Sequence, residues 1–83
     1  MVDTQTFTVQ AVWDAEANVW VAESDDVTGL VTEGDSQEKL VEKLTSLVPE
    51  LLELNNHPID PTKSIEIIVQ YRREERISVP VAA

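Results

Sequence analysis

Apolar and polar residues alternate over residues 5–13, QTFTVQAVW, which is the pattern of a β-strand with one buried face. The turn-forming residues DAEAN separate this run from a second strand-like run, VWVAE, at residues 19–23. A loop of four residues would place Trp13 opposite Trp20 on one face, whereas a three-residue loop would place them on opposite faces. We therefore expect an antiparallel hairpin with a four-residue loop and a cross-strand pair of tryptophans in the core.

A short third strand is expected between this hairpin and a helix. The segment SDDVTG is rich in turn residues, and Gly29 suits a position with positive φ. The following LVTE, residues 30–33, is apolar enough for a strand, and Gly34 closes it. Each of the two glycines is therefore expected to allow a reversal of the chain.

The helix is indicated by an apolar stripe that spans an arc of roughly 160° on a helical wheel. The stripe consists of Leu40, Val41, Leu44, Leu47, Val48, Leu51, Leu52 and Leu54. Asp35 is the expected N-cap, with Glu38 completing a capping box, and Ser36 is the competing cap. Pro49 removes one hydrogen bond but leaves the phase of the stripe intact, which predicts a kinked helix or a helix that restarts there.

The last strand is predicted over KSIEIIVQYRR, residues 63–73. Its apolar side chains divide between the two faces, with Ile65, Ile67, Val69 and Tyr71 on one and Ile68 on the other. The tail, residues 74–83, is compatible with a short edge strand but not with a central one, because it contains Pro80.

These elements predict one α+β domain over residues 1–83, with its core at about 5–73 and the order β-β-β-α-β. An antiparallel meander is followed by one helix, which covers one face of the sheet, and by a final strand. The other face would then expose an apolar strip of Val12, Val19, Val21 and Ile68. Exposed apolar strips of this kind mark contacts with another chain, so these four residues are the predicted partner-binding site.

Charge and cysteine content narrow the class of protein. The chain has 83 residues, 16 acidic and 6 basic, and a formal net charge of −10. Such a surface disfavours direct contact with nucleic acid and favours a basic protein partner. The chain has no cysteine and no apolar run long enough for a membrane span, which indicates a cytoplasmic protein without membrane contact.

Catalytic, metal-binding and cofactor-binding residues are not predicted. Acidic residues occur on several elements, as in a metal-dependent nuclease, but Glu38 and Glu42 fall on the polar side of the helix. His57 is the sole histidine and lies in a loop without a recognisable nucleophile. A cryptic nuclease that uses Asp14 and neighbouring acids stays open as the alternative function, as does an orphan scaffold without a partner.

The run from Val19 to Leu44 resembles the core of HicB-like antitoxin domains. The matching positions are Trp20, Val21 and Ala22 in a strand, Asp26 and Gly29 in a turn, and Thr32, Gly34, Asp35 and Ser36 at the helix entry. Asp25 and Thr28 stand where the better-known branch has prolines. The later VPELLELN is more similar to an uncharacterised branch of standalone HicB-like domains.

The resemblance implies a degenerate ribonuclease H-like fold without catalysis. It also implies a small basic HicA-type RNA-cleaving toxin as the partner, which the antitoxin would neutralise. We therefore expect a non-enzymatic protein-binding module that forms a homodimer.

Overall fold

The structure is a computed structural model that describes residues 4–82. Its elements are β1 (Thr4–Asp14), β2 (Val19–Glu23), β3 (Val31–Gly34), α1 (Gln37–Leu54) and β4 (Ser64–Arg72). The four strands form one mixed sheet in the order β3-β2-β1-β4. β1, β2 and β3 are antiparallel neighbours, and β4 runs parallel to β1. This confirms the predicted α+β class and element order.

The hairpin has the predicted register. Trp13 pairs with Trp20 and Ala11 with Ala22, across a four-residue connection that ends at Asn18. Asn18 has a φ of 55°, which asparagine tolerates better than most residues. The two tryptophan rings meet edge to face, with their centroids 5.3 Å apart, so the predicted aromatic pair is confirmed.

The core lies between the sheet and α1. Its buried side chains are Phe7, Val9, Ala11, Trp20, Ala22, Val27, Leu30, Leu40, Leu44, Val48 and Leu52. All the sheet members of this set belong to the face that the alternating pattern assigned to the interior. Four leucine and valine positions of the predicted helical stripe are fully buried, which confirms the phase of the helix.

The start of α1 differs from the expected one. Ser36, and not Asp35, is the N-cap, and its hydroxyl accepts the N–H of Lys39 at 3.1 Å. Asp35 instead forms a 3.3 Å ion pair with the ammonium group of Lys39. Both residues can cap a helix, and the choice depends on where the backbone leaves the extended conformation, which is at Ser36.

α1 continues through Pro49 and ends in a Schellman motif. Asn56 has a φ of 52°, and the N–H of His57 bonds the carbonyl of Leu52 at 2.9 Å. The alternative of a restart at Pro49 is therefore wrong, since one helix spans Gln37–Leu54. Within residues 4–82, no helix is both long and apolar enough to cross a membrane.

α1 covers only part of the inner sheet face. It lies closest to β2 and β3, at one side of the sheet, whereas β4 is at the far side of β1. The inward-facing Ile65, Ile67 and Val69 of β4 are consequently only half-buried.

The predicted edge strand over the tail is not formed in residues 73–82, which have no secondary structure. Residue 83, which the prediction included, lies outside the described residues. The tail continues outward from β4 and has no strand beside it to pair with. At its base, Arg72 forms an ion pair with Glu74 at 2.6 Å, and Arg73 lies over the ring of Trp13.

Candidate protein-binding surface

The outer sheet face, opposite α1, carries a group of three valines. Val12 on β1 pairs directly with Val21 on β2, and Val19 lies two residues along the same face. Val12 is 48% exposed, and Val19 and Val21 are half-buried. We call these three residues the valine patch. A β-branched pair facing each other on an open sheet surface provides a flat apolar contact area.

Three carboxylates border the valine patch on the same face, and Arg72 of β4, the register partner of Val12, borders it on the remaining side. Asp14 is the register partner of Val19, Glu33 is the partner of Val21, and Glu23 follows Val21 along β2. All three side chains are exposed. We call them the acidic rim. An apolar centre with a charged, solvated border is the usual composition of a protein-binding surface.

Ile68 belongs to the same face but is separated from the valine patch. It pairs with Thr8 of β1, four residues before Val12, which is about 13 Å along the strand. The paired glutamines Gln10 and Gln70 lie between them. The structure therefore brings together three of the four predicted binding residues and leaves Ile68, 41% exposed, apart from them. Their role in binding stays a prediction.

Alternation along a strand predicts only which face of the sheet a residue lies on. It does not report where along the sheet two positions fall. The parallel pairing of β4 with β1 fixes that position, and it places Ile68 beside Thr8, near the middle of β1, and not beside Val12.

A second apolar surface, which the sequence pattern does not predict, lies on the inner face of the sheet. An open groove of about 300 Å³ runs between α1 and β4. It is lined by Val41, Leu44, Thr45, Ile65, Ile67 and Val69. The alternation in β4 does signal an apolar inner face, but only the strand order shows that α1 leaves this face partly open.

The acidic residues have structural roles or are solvated. Asp14 accepts the N–H groups of Glu16 and Ala17 at 3.0 and 3.3 Å and so shapes the hairpin turn. Asp26 accepts the N–H of Thr8 at 2.7 Å, in the part of β1 that lies beyond its pairing with β2. The predicted exposure of Glu38 and Glu42 on the helix is confirmed.

Within residues 4–82, no three histidine, aspartate or glutamate side chains come close enough together to hold a metal ion. His57 is exposed, and its ring lies edge-on to Phe7 with the centroids 5.4 Å apart. The pKa of Asp60 is lowered from its ordinary 3.8, first by the hydroxyl of Thr62 and then by the Thr62 N–H. Asp60 lies in the connection between α1 and β4.

No curated protein matches the chain. A crystal structure of a hypothetical protein, TTHA1013, from the extremely thermophilic bacterium Thermus thermophilus is similar to it, with 46% identity and a TM-score of 0.76. The match covers 88% of this chain and 100% of that one. This relative is a hypothetical protein, and the family model that matches the chain is of unknown function. The resemblance to HicB-like antitoxins therefore stays a prediction. The model of a domain of unknown function, DUF1902, matches residues 6–79, and the chain therefore belongs to the DUF1902 family.

Proposed function

We propose that the protein is a non-enzymatic protein-binding module that binds a small basic protein through its outer sheet face. The observation that carries this proposal is the valine patch with its acidic rim, on a face that α1 leaves open. The apolar centre would supply contact area that excludes water, and the rim would supply charge complementarity to the partner.

The net charge of the chain supports a basic partner. With 16 acidic against 6 basic residues, the whole domain attracts a positively charged protein over distances of about a Debye length. Such attraction raises the association rate and falls with added salt. The absence of cysteine from the sequence favours the cytoplasm as the setting.

The partner that we propose is a small basic RNA-cleaving toxin of the HicA type, with this chain as its antitoxin. The support for this identity is the resemblance of residues 19–44 to HicB-like domains, together with the acidic surface. In this role the module would act by covering the toxin, so that no catalytic residue of its own is required. The nuclease alternative has no comparable feature in its support.

We expect the gene beside that of this chain to encode a small basic protein, and the test is the affinity of the chain for that protein. Titration calorimetry is expected to show binding that weakens as salt is raised. Val21→Lys is expected to weaken it at least about tenfold, because it introduces a charge into the apolar centre. Leu54→Lys is the matched control, since it adds the same charge at a 69% exposed apolar residue at the end of α1.

Unchanged affinity in Val21→Lys, with the fold verified by circular dichroism, would contradict the proposed surface. An equal loss in Leu54→Lys would show that only net charge matters and would also contradict it. Failure of the neighbouring basic protein to bind at low salt would contradict the antitoxin role.

A further inference from the structure

Residues 73–82 form an arm that contacts the domain at its base, where Arg73 lies over Trp13, and then leaves the domain. The molecule measures 65 × 29 × 20 Å and has a radius of gyration of 16.7 Å, whereas a compact domain of this length has roughly 12 Å. Ten extended residues span up to about 33 Å, which is enough to account for the long dimension. We call residues 73–82 the arm.

The arm has the pattern of a strand without a partner. Its apolar residues alternate, at Ile77, Val79 and Val81, and are 78%, 75% and 94% exposed. Three apolar side chains so open to water are a surface that association would bury. The alternation assigns all three to one face of an extended chain.

The sheet offers a site that matches this arm. β4 is the last strand of the sheet in the order β3-β2-β1-β4, so its outer edge has no neighbouring strand in the described part of the chain. The groove between α1 and β4 adjoins this edge, and Ile65, Ile67 and Val69 form its floor. A strand added to the edge would extend that floor and place alternate side chains into the groove.

The arm cannot easily fill the site on its own chain. It continues directly from β4, and the residues RREER at 72–76 include no glycine, proline, asparagine or aspartate. A tight antiparallel reversal calls for such residues, as the hairpin with Asn18 illustrates.

We infer that two copies of the chain form a dimer in which the arm of each copy pairs antiparallel with β4 of the other. Each copy has both an arm and a free β4 edge. A twofold axis therefore lets the arm of each copy pair with β4 of the other, which gives a closed dimer. Each sheet then has five strands, and the arm becomes an edge strand, where Pro80 is tolerated.

The residue pattern limits the register to those that keep the apolar side chains of the arm on the groove side. With the twofold axis at Arg73, each of Ile77, Val79 and Val81 meets an apolar residue of β4 on that side. The pairs are Ile77 with the partner's Val69, Val79 with the partner's Ile67, and Val81 with the partner's Ile65. A shift by one residue would turn the arm's apolar residues away from the groove.

The charges fit the same arrangement. Residues 1–71 carry fourteen acidic and three basic side chains, whereas residues 72–83 carry two acidic and three basic side chains. The end of one chain therefore meets a strongly acidic domain of the other. In this register Arg72 lies opposite the partner's Glu74, so the ion pair that the two residue types make within one chain can form between chains.

The first test is the mass of the full chain in sedimentation equilibrium. The wild-type chain is expected to have twice the 9.3 kDa of one chain. Val79→Asp is expected to raise the dissociation constant of the dimer at least about tenfold. Val31→Asp is the matched control, because Val31 is 70% exposed, on β3 at the opposite edge of the sheet. A wild-type monomer at all concentrations, or equal dissociation by Val31→Asp, would overturn the inference.

The second test fixes the pairing. The chain has no cysteine, so Ile67→Cys combined with Val79→Cys introduces the two thiols that the register brings together. Mild oxidation is expected to give a covalent species of twice the chain mass on a non-reducing gel. A disulfide within one chain would show that the arm folds back, and free thiols throughout would exclude the stated pairing. Ile67 and Val79 lie outside the valine patch, so the outcome of this test is independent of the outcome for Val21→Lys.

Discussion

Gly34 lies against the backbone of Leu40, at the point where β3 passes into α1. A Cβ on Gly34 would be 2.9 Å from the amide nitrogen of Leu40 and 3.1 Å from its Cα. Backbone atoms in the first turn of a helix cannot move aside as a flexible side chain can. Gly34 is therefore required for the close approach of the sheet and helix, and not for a positive φ, which in residues 4–82 only Gly29 has among the glycines.

We predict that Gly34→Ala destabilises the fold by about 1–3 kcal/mol, the usual cost of overpacking a well-packed contact. The clash is expected to exceed the roughly 0.4–1 kcal/mol that alanine gains by restricting the unfolded chain. Urea unfolding followed by tryptophan fluorescence measures the difference. Glu33→Ala, one residue earlier on an exposed side chain, is the control and should change stability by less than about 0.5 kcal/mol. A Gly34→Ala chain as stable as the wild type would exclude the contact.

The sequence predicted the two sheet faces because side chains alternate between them along a strand. It predicted the hairpin register because the length of the loop determines which residues pair. The pairing of Trp13 with Trp20 required only that the two runs be joined by four residues. The sequence also predicted which side of α1 is buried, since the buried residues of α1 are members of one continuous apolar stripe.

The sequence could not predict the position of β4 relative to α1. Alternation places Ile65, Ile67 and Val69 on the inner face, but it does not show whether a helix lies above them. Strand order depends on which long-range pairing is most stable in the whole fold, and no local pattern encodes it. The open groove beside β4 and the isolation of Ile68 on the outer face both follow from this one fact.

The two proposed surfaces lie on opposite faces of the sheet and are compatible. The valine patch is on the outer face, and the groove that would receive the arm is on the inner face. A dimer built through the arms would leave both valine patches open. The two proposed associations therefore do not compete for the same atoms.

The N-cap assignment gives a second prediction. Ser36→Ala should destabilise the protein by about 1 kcal/mol, because the Lys39 N–H then loses its side-chain acceptor. Asp35→Ala should cost less than about 0.5 kcal/mol, since its ion pair with Lys39 is well exposed. Urea unfolding of both variants against the wild type compares them directly. The reverse order of effects would show that Asp35 is the functional cap.

The Asp60 carboxylate gives a third prediction, on pH dependence. Its Oδ1 accepts the Thr62 hydroxyl at 2.6 Å and the Thr62 N–H at 2.9 Å, and the charge of Lys63 adds to their effect. These donors favour the ionised form and lower the pKa of Asp60 in the folded chain below 3.8. The stabilisation of this connection is therefore present above the unfolded pKa and is lost as pH falls through the lower, folded pKa.

The measurement for Asp60 is an NMR titration of its carboxyl carbon in the folded protein. The midpoint is expected below 3.8 in the wild type. Thr62→Val removes the hydroxyl but keeps the N–H, and it should raise the midpoint towards 3.8. Lys63→Gln should raise it less, because the hydroxyl is the largest influence and the lysine charge the smallest. A larger rise in Lys63→Gln than in Thr62→Val would show that charge, and not the Thr62 hydrogen bond, controls this carboxylate.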